Sequence, residues 1–302
     1  MSLLVVGSVA FDAIETPFGK TEWTAGGAAT YFSLAAALLS PVRLVGVVGE
    51  DFTAKDEAVF RGRKIDLAGL ERASGKSFFW AGRYSSDLRS RETLRTDLNV
   101  FAAFTPKLPE TYRESPFVFL GNIDPALQRN VLKQMRRRPK LVALDTMNYW
   151  ISRTRKELGK TLKLIDALLI NDEEACQLAE ESNLLRAARK ILRMGPKALV
   201  IKRGEYGSMM FHGDSILAVP AYPLEDVRDP TGAGDSFAGG FMGYLASHAN
   251  ANHGLLRRAM LYGSVLGSFA VEQLGVARLR TLKRREVEAR VRALAQMMHV
   301  QI

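Results

Sequence analysis

Two textures of apolar patterning alternate along the chain. In the first, short unbroken apolar runs stop at a glycine or a polar residue: Leu3–Val6 before Gly7 and Ser8, Val42–Val48 before Gly49, Phe117–Leu120 before Gly121 and Asn122, Leu141–Leu144 before Asp145, residues 167–170 before Asn171, and Ala198–Lys202 before Arg203. Runs of this length without alternation are strands buried on both faces. The helix-forming stretches between them predict a parallel sheet whose polar groups line its carboxyl edge. The second texture spans residues 75–105, where residues 77–84 and 93–100 alternate about the polar stretch 85–90, the pattern of an antiparallel hairpin. Gly26-Gly27 opens a run of helix formers over residues 28–39, and residues 256–274 carry a further helical run that stops at Gly275.

The stretch with the most chemistry is Asp229-Pro-Thr-Gly-Ala-Gly-Asp-Ser236. Pro230 disfavours helical geometry for the residue before it, Thr231 is a good N-cap, and Phe237, Phe241, Tyr244 and Leu245 recur at helical spacing, so a helix is expected to begin here. Gly232, Ala233 and Gly234 leave the first-turn amides bare, and such amides with the helix dipole make an anion site. Asp235 in the same turn would compete with a bound anion unless it has its own task. Phosphoryl transfer needs both: donors neutralise the transferring group while a carboxylate takes the proton of the attacking hydroxyl. An ordinary capped helix with an acidic first turn has the same composition. No G-K-[ST] follows the glycines, so this is not a Walker loop.

Composition sets the class. At 302 residues, with 47% hydrophobic and 25% charged, the chain has the makeup of a soluble α/β protein, expected as one large domain over residues 1–302 with an elaboration. A single cysteine, Cys176, excludes an internal disulfide, predicts a reducing cytoplasmic setting, and reads as a small buried hydrophobe. The N-terminus has no basic leader and too short an apolar run for a signal peptide, and no segment approaches membrane-spanning length. The net charge of +10 is concentrated partly at residues 136–138 and 283–292; basic runs on helices are mostly solvated faces, which makes nucleic acid the remote reading.

The stretch from Asp229 to Phe241 resembles the C-terminal signature of the ribokinase, or PfkB, family of carbohydrate and nucleoside kinases. Further motifs follow in the family's order over nearly the whole chain. Gly7-Ser-Val-Ala-Phe-Asp12 resembles the segment whose Asp holds the acceptor, and Gly26-Gly27 the pair that lets a substrate approach the backbone. Asn171-Asp-Glu-Glu174 matches N-x-x-E, in which Glu174 and Asn171 help position Mg2+ and phosphate through water; ordinary capping gives the same spacing. Gly204 and Gly207 match the turn against the nucleotide, and Lys202, where many relatives have Thr, either reaches the ATP phosphates as a point charge or is simply solvated. Asp229 and Gly275 stand where relatives bind a monovalent cation, potassium among them, and line the adenine pocket.

The resemblance implies a ribokinase-like α/β fold: a Rossmann-like, mostly parallel sheet flanked by helices, with a small β-sheet lid from residues 12–24 and 75–105. It implies an ATP- and Mg2+-dependent kinase that transfers the γ-phosphate to a sugar hydroxyl. A nucleoside kinase is the alternative, and a catalytically silent metabolite-binding relative the remote one. Asp235 is the expected base, with the amides around Gly232, Ala233 and Gly234 as anion hole and Asp12, Gly26 and Gly27 as acceptor site. One departure is Tyr31, where most sugar kinases of this kind carry Asn; with the aromatic lid it leans toward a base-bearing acceptor. On the lid, Phe79, Trp80 and Tyr84 are suited to stacking on a base or covering a sugar, and Arg83, Arg89, Arg91 and Arg95 to a phosphorylated acceptor; the plainer reading packs the rings within the sheet and turns the arginines to water. The lid's exposed edge could be covered by a second copy.

Overall fold

The computed structural model describes residues 2–299. Its strands are β1 (Leu3–Val6), β2 (Ala10–Thr16), β3 (Gly19–Gly26), β4 (Val42–Val48), β5 (Ile65–Arg72), β6 (Phe78–Tyr84), β7 (Arg91–Asp97), β8 (Phe117–Leu120), β9 (Leu141–Leu144), β10 (Ala167–Asn171), β11 (Ala198–Lys202), β12 (Ser208–His212) and β13 (Ser215–Val219). Among the described residues the large sheet has the order β13-β12-β11-β10-β9-β8-β1-β4-β5 and the small one β3-β2-β6-β7. From β11 to β5 the large sheet is parallel, and β12 and β13 extend it antiparallel.

Unbroken apolar runs become central strands because each successive residue finds a different core. Leu3 and Val5 pack among helices Ala28–Ala36, Ala233–Ser247 and His253–Ala270, while Leu4 and Val6 enter the opposite layer with Val131, Leu158, Leu178 and Ile191. This is the two-sided burial that parallel strands require. Phe32 stacks on Phe119 with centroids 4.3 Å apart, fixing helix Ala28–Ala36 to the sheet beside β1. Helix Ala233–Ser247 lies so close to its neighbours that side chains would not fit: a Cβ on Gly239 would come 2.4 Å from the Phe32 carbonyl oxygen, and one on Gly240 2.5 Å from that of Tyr262.

The small sheet rises from the carboxyl end of β1, and its Phe11 belongs to the same core as helix Ala28–Ala36. The expected hairpin is β6 and β7. Three features escaped the apolar pattern: β5, which carries charges and a glycine, and β12 with β13, an alternating edge pair. The expected helix over 256–274 starts earlier, at His253, because the Asn252 side chain accepts from the Leu255 amide, and ends at Ala270. Cys176 is half-buried rather than buried. Within the basic runs, Arg136 pairs with Glu110 and Glu114, Arg138 with Asp166, and Arg290 with Glu272. No helix among the described residues is long and apolar enough to cross a membrane.

Phe119→Ala is expected to destabilise the protein by about 3–5 kcal/mol, because the Phe32 ring would lose its stacking partner in a region with no solvent access. Chemical denaturation with an unchanged m-value is the measurement.

Candidate active site

The site forms where the carboxyl edge of the parallel sheet meets the small sheet. Asp12, on β2, is buried, and its carboxylate accepts from the Gly27 amide. It lies directly against Gly26: a Cβ there would fall 1.9 Å from Asp12 Oδ2. Gly27 itself adopts a φ of 87°, and helix Ala28–Ala36 is capped not by Gly27 but by Ser8, whose Oγ accepts from the Ala28 amide at 3.0 Å. The glycine pair therefore does two jobs, admitting the carboxylate and turning the chain into the helix.

At the signature, the helix begins one residue later than expected. Gly232, with a φ of 72°, occupies the N-cap position, no side chain caps the helix, and Thr231 is not the cap. Thr231 Oγ1 instead meets the Tyr84 hydroxyl of the lid at 3.0 Å, while its amide donates to Asp229 Oδ1 at 2.9 Å. The Ala233 amide donates to the Pro230 carbonyl at 3.2 Å, which takes it out of the expected anion-binding set, while the amides of Gly232, Gly234 and Asp235 have no backbone partner among the described residues. Tyr31 is the wall behind this turn: a Cβ on Gly232 would lie 2.2 Å from its ring. Its hydroxyl is buried and has no hydrogen-bond partner among the described residues.

Asn171 and Glu174 form a reciprocal capping box: Asn171 Oδ1 accepts from the Glu174 amide at 2.7 Å, and Glu174 Oε2 from the Asn171 amide at 2.8 Å. Beside them, Lys202 Nζ donates to Asp145 Oδ2 at 3.1 Å, both side chains largely buried. Asp145 was visible in the sequence only as the polar residue ending β9. A polar residue at that edge was the signal, but its partner lies 57 positions away. Asp229 is fully buried, and its second oxygen accepts from the Gly275 amide at 2.7 Å, so it pins the signature to the Gly275 turn. Gly204 and Gly207 follow β11 with φ values of 52° and 85°.

These groups act on one another electrically. Burial pushes the Asp12 carboxyl up to about 7, with Asp229 and Asp235 adding to the effect and Gly27 and Arg91 opposing it. Asp235 is pushed up to about 7 by burial and then by Asp145, against Lys202 and Arg91. Glu174 is likewise raised to about 7, by burial first and Asp145 next. Burial alone would lower Lys202, but Asp145, Glu174 and Asp235 outweigh it and hold the ammonium charged. Asp235 differs from its neighbours in kind: Asp12, Asp145 and Asp229 all accept hydrogen bonds, whereas nothing among the described residues donates to Asp235. Its lone pairs are available.

The lid presents two faces. Asp12, Trp80 and Thr96 are cross-strand neighbours, and so are Phe11, Phe79 and Asp97, which alternation places on the other face. Phe79 thus stacks with Trp23, which stacks in turn on the buried Phe11, and does not line the cleft with Trp80 and Tyr84. Trp80 folds flat along its own strand, its ring 2.2 Å from where a Cβ on Gly82 would be.

Comparison with known proteins decides what this constellation is. The profile of the pfkB family carbohydrate kinases matches residues 2–282. The chain belongs to this family. A cytidine kinase of Thermococcus kodakarensis is 29% identical over 248 residues, covering 80% of this chain and 87% of that protein. A nucleoside kinase of Methanothermobacter thermautotrophicus is 27% identical over 304 residues, covering 90% of each. The fold is shared with a Burkholderia thailandensis nucleoside kinase solved with inosine (TM-score 0.79, 20% identity, 97% of this chain and 98% of that one). It is also shared with an Arabidopsis thaliana ribokinase solved with ribose and ATP (TM-score 0.77, 23% identity, 96% and 98%). This pfkB kinase is a phosphotransferase that acts on an alcohol group.

Raised carboxyls carry a stability signature. Between about pH 4 and pH 7 the folded kinase holds protons that the unfolded chain has released, so stability from Asp12 and Asp235 is fully present below that window and is lost as pH rises through about 7. Asp235→Asn is therefore expected to raise the Tm, by more at pH 8 than at pH 5. A scan of the two proteins at both pH values checks this.

Proposed function

We propose that this kinase transfers the γ-phosphate of ATP to a primary sugar hydroxyl, with a nucleoside as the preferred acceptor. The observation that carries the mechanism is Asp235, a carboxylate without a hydrogen-bond donor, standing in the first turn of a helix whose own amides are unpaired. The acceptor hydroxyl is held by Asp12 and the Gly26-Gly27 backbone and loses its proton to Asp235. The amides of Gly232, Gly234 and Asp235 take the charge that develops on the phosphoryl oxygens; Ala233 contributes by its small size. Lys202, Asn171, Gly204 and Gly275 hold the nucleotide.

The donor set suits a magnesium ion bound mostly through water and phosphate. Glu174 has one oxygen engaged by the Asn171 amide and lone pairs left over, with which it would help hold the ion through water. The ion supplies neutralisation of the phosphates. Asp229 is proposed to contact a potassium ion with lone pairs left over from its two amide bonds; equal rates in potassium, sodium and a bulky organic cation would remove that role.

Support for a nucleoside comes from Trp80, a flat ring on the cleft face of the lid, and from the names of the two relatives matched over most of their length. A free sugar is the second reading, favoured by the family as a whole. The catalytic unit is proposed to work in the cytoplasm with its lid, and to pair with a second copy over the outward lid face, where Trp23 is 54% exposed.

A coupled ADP-release assay with MgATP against nucleosides, free sugars and sugar phosphates tests the acceptor. Stimulation by nucleosides alone supports the reading, and stimulation by sugars alone replaces it with the second. Asp235→Asn is expected to lower kcat by at least ~100-fold with nucleotide binding retained. The wild-type carboxyl, pushed up to about 7, is expected to give kcat/KM an acid limb falling below roughly that pH.

A further inference from the structure

Four arginines project from the lid hairpin, and their partners separate them. Arg83 is held by Glu15 at 2.8 Å and Arg95 by Asp97 at 2.5 Å, while Arg89 reaches Glu205 at 2.9 Å. No carboxylate among the described residues is within ion-pair reach of Arg91. Arg91, an exposed residue, stands opposite Tyr84 in the β6–β7 register and has its guanidinium 5.2 Å from the centroid of the Trp80 ring. Tyr84 in turn meets Thr231, the residue before Gly232. Through Tyr84, Arg91 stands on the lid side of the signature turn, and its charge acts on the Asp12 and Asp235 carboxylates.

We propose that Arg91 is a further catalytic residue, a guanidinium carried by the lid that meets the phosphoryl group as it passes from the nucleotide to the acceptor. In that step the acceptor oxygen forms a bond to phosphorus, the bond to the bridging oxygen of the departing ADP breaks, and the acceptor proton goes to Asp235. Arg91 gives and takes no proton. The transferring group spreads its charge over three equatorial oxygens, and the turn amides face it from the helix side only. A planar, permanently charged fork on the opposite side completes the surround. Because the contact strengthens as transfer proceeds, it should appear in kcat rather than in KM.

The inference rests on the kinase reading with Asp235 as base, and the test separates the two. Wild type, Arg91→Met, Arg91→Lys and Asp235→Asn are compared by thermal unfolding, by steady-state kinetics with MgATP and the acceptor that wild type uses, and by calorimetric titration of MgADP with and without aluminium fluoride plus acceptor. Arg91→Met is expected to fold normally, to lose ~100-fold in kcat with both KM values within ~3-fold, and to bind MgADP as before while losing the tightening that fluoride gives; Arg91→Lys recovers part of each loss. Retained kcat would overturn the proposal. So would a loss confined to the acceptor KM, which would make Arg91 an acceptor-binding group, or equal weakening of MgADP with and without fluoride. Full turnover in Asp235→Asn would overturn the base instead, whatever Arg91 shows.

Discussion

Five carboxylates crowded at one sheet edge, with few cations to meet them, are the constraint around which this structure is arranged. Asp12, Asp145, Glu174, Asp229 and Asp235 all have raised pKa values, burial being the first cause for each. Each of four is relieved in its own way. Asp229 has two backbone amides, Asp12 the Gly27 amide, Glu174 the Asn171 amide, and Asp145 the Lys202 ammonium. Asp235 has only the distant pull of Lys202 and Arg91 and the dipole of its own helix. A site in which one carboxylate is left without donors while its neighbours are supplied is a site in which that carboxylate is free to accept a proton.

The fold makes the crowding possible. Parallel strands deliver their polar ends to one edge, which is how Asp145 after β9, Asn171 at the end of β10 and Lys202 at the end of β11 become neighbours. The signature helix comes from the opposite layer, and its glycines let it sit against the Phe32 and Tyr262 backbones closely enough to bring its first turn over that edge. The same steric logic recurs at Gly26, where the absence of a side chain is what admits Asp12. Stability has been given up here for a set of charges that a purely structural core would avoid.

Much of this was legible in the sequence because the relevant signals are local. Central strands are apolar on both faces, so their limits at 3–6, 42–48, 117–120, 141–144 and 198–202 could be read directly. The signature, the glycine pair and N-x-x-E are contiguous, and their order over the chain was informative where each one alone was not. What escaped depends on contacts between distant segments. Thr231 has the composition of an N-cap, but Tyr84, 147 positions away, takes its hydroxyl. Asp145 acquires its meaning only beside Lys202. The side of the lid on which Phe79 falls depends on the pairing of β6 with β2, which a run of three aromatic residues at 78–80 does not reveal. For Asn171 and Glu174 the structural reading holds in full, since they cap each other; the proposed metal role uses the lone pairs that capping leaves.

The lid is joined to the body at both ends of the cleft. Tyr84 ties it to the signature loop in a buried contact, and Arg89 ties it to Glu205 in the glycine turn after β11 in an exposed one. The exposed pair adds little energy, on the order of 0–1 kcal/mol, whereas the buried hydroxyl pair cannot be broken without leaving both groups to find water. Opening therefore costs most at the signature end. A lid joined in this way is held more weakly at its Arg89 tip than at Tyr84. Because Arg91 is paired with Tyr84 across the β6–β7 register, the role proposed for Arg91 depends on that buried contact being made.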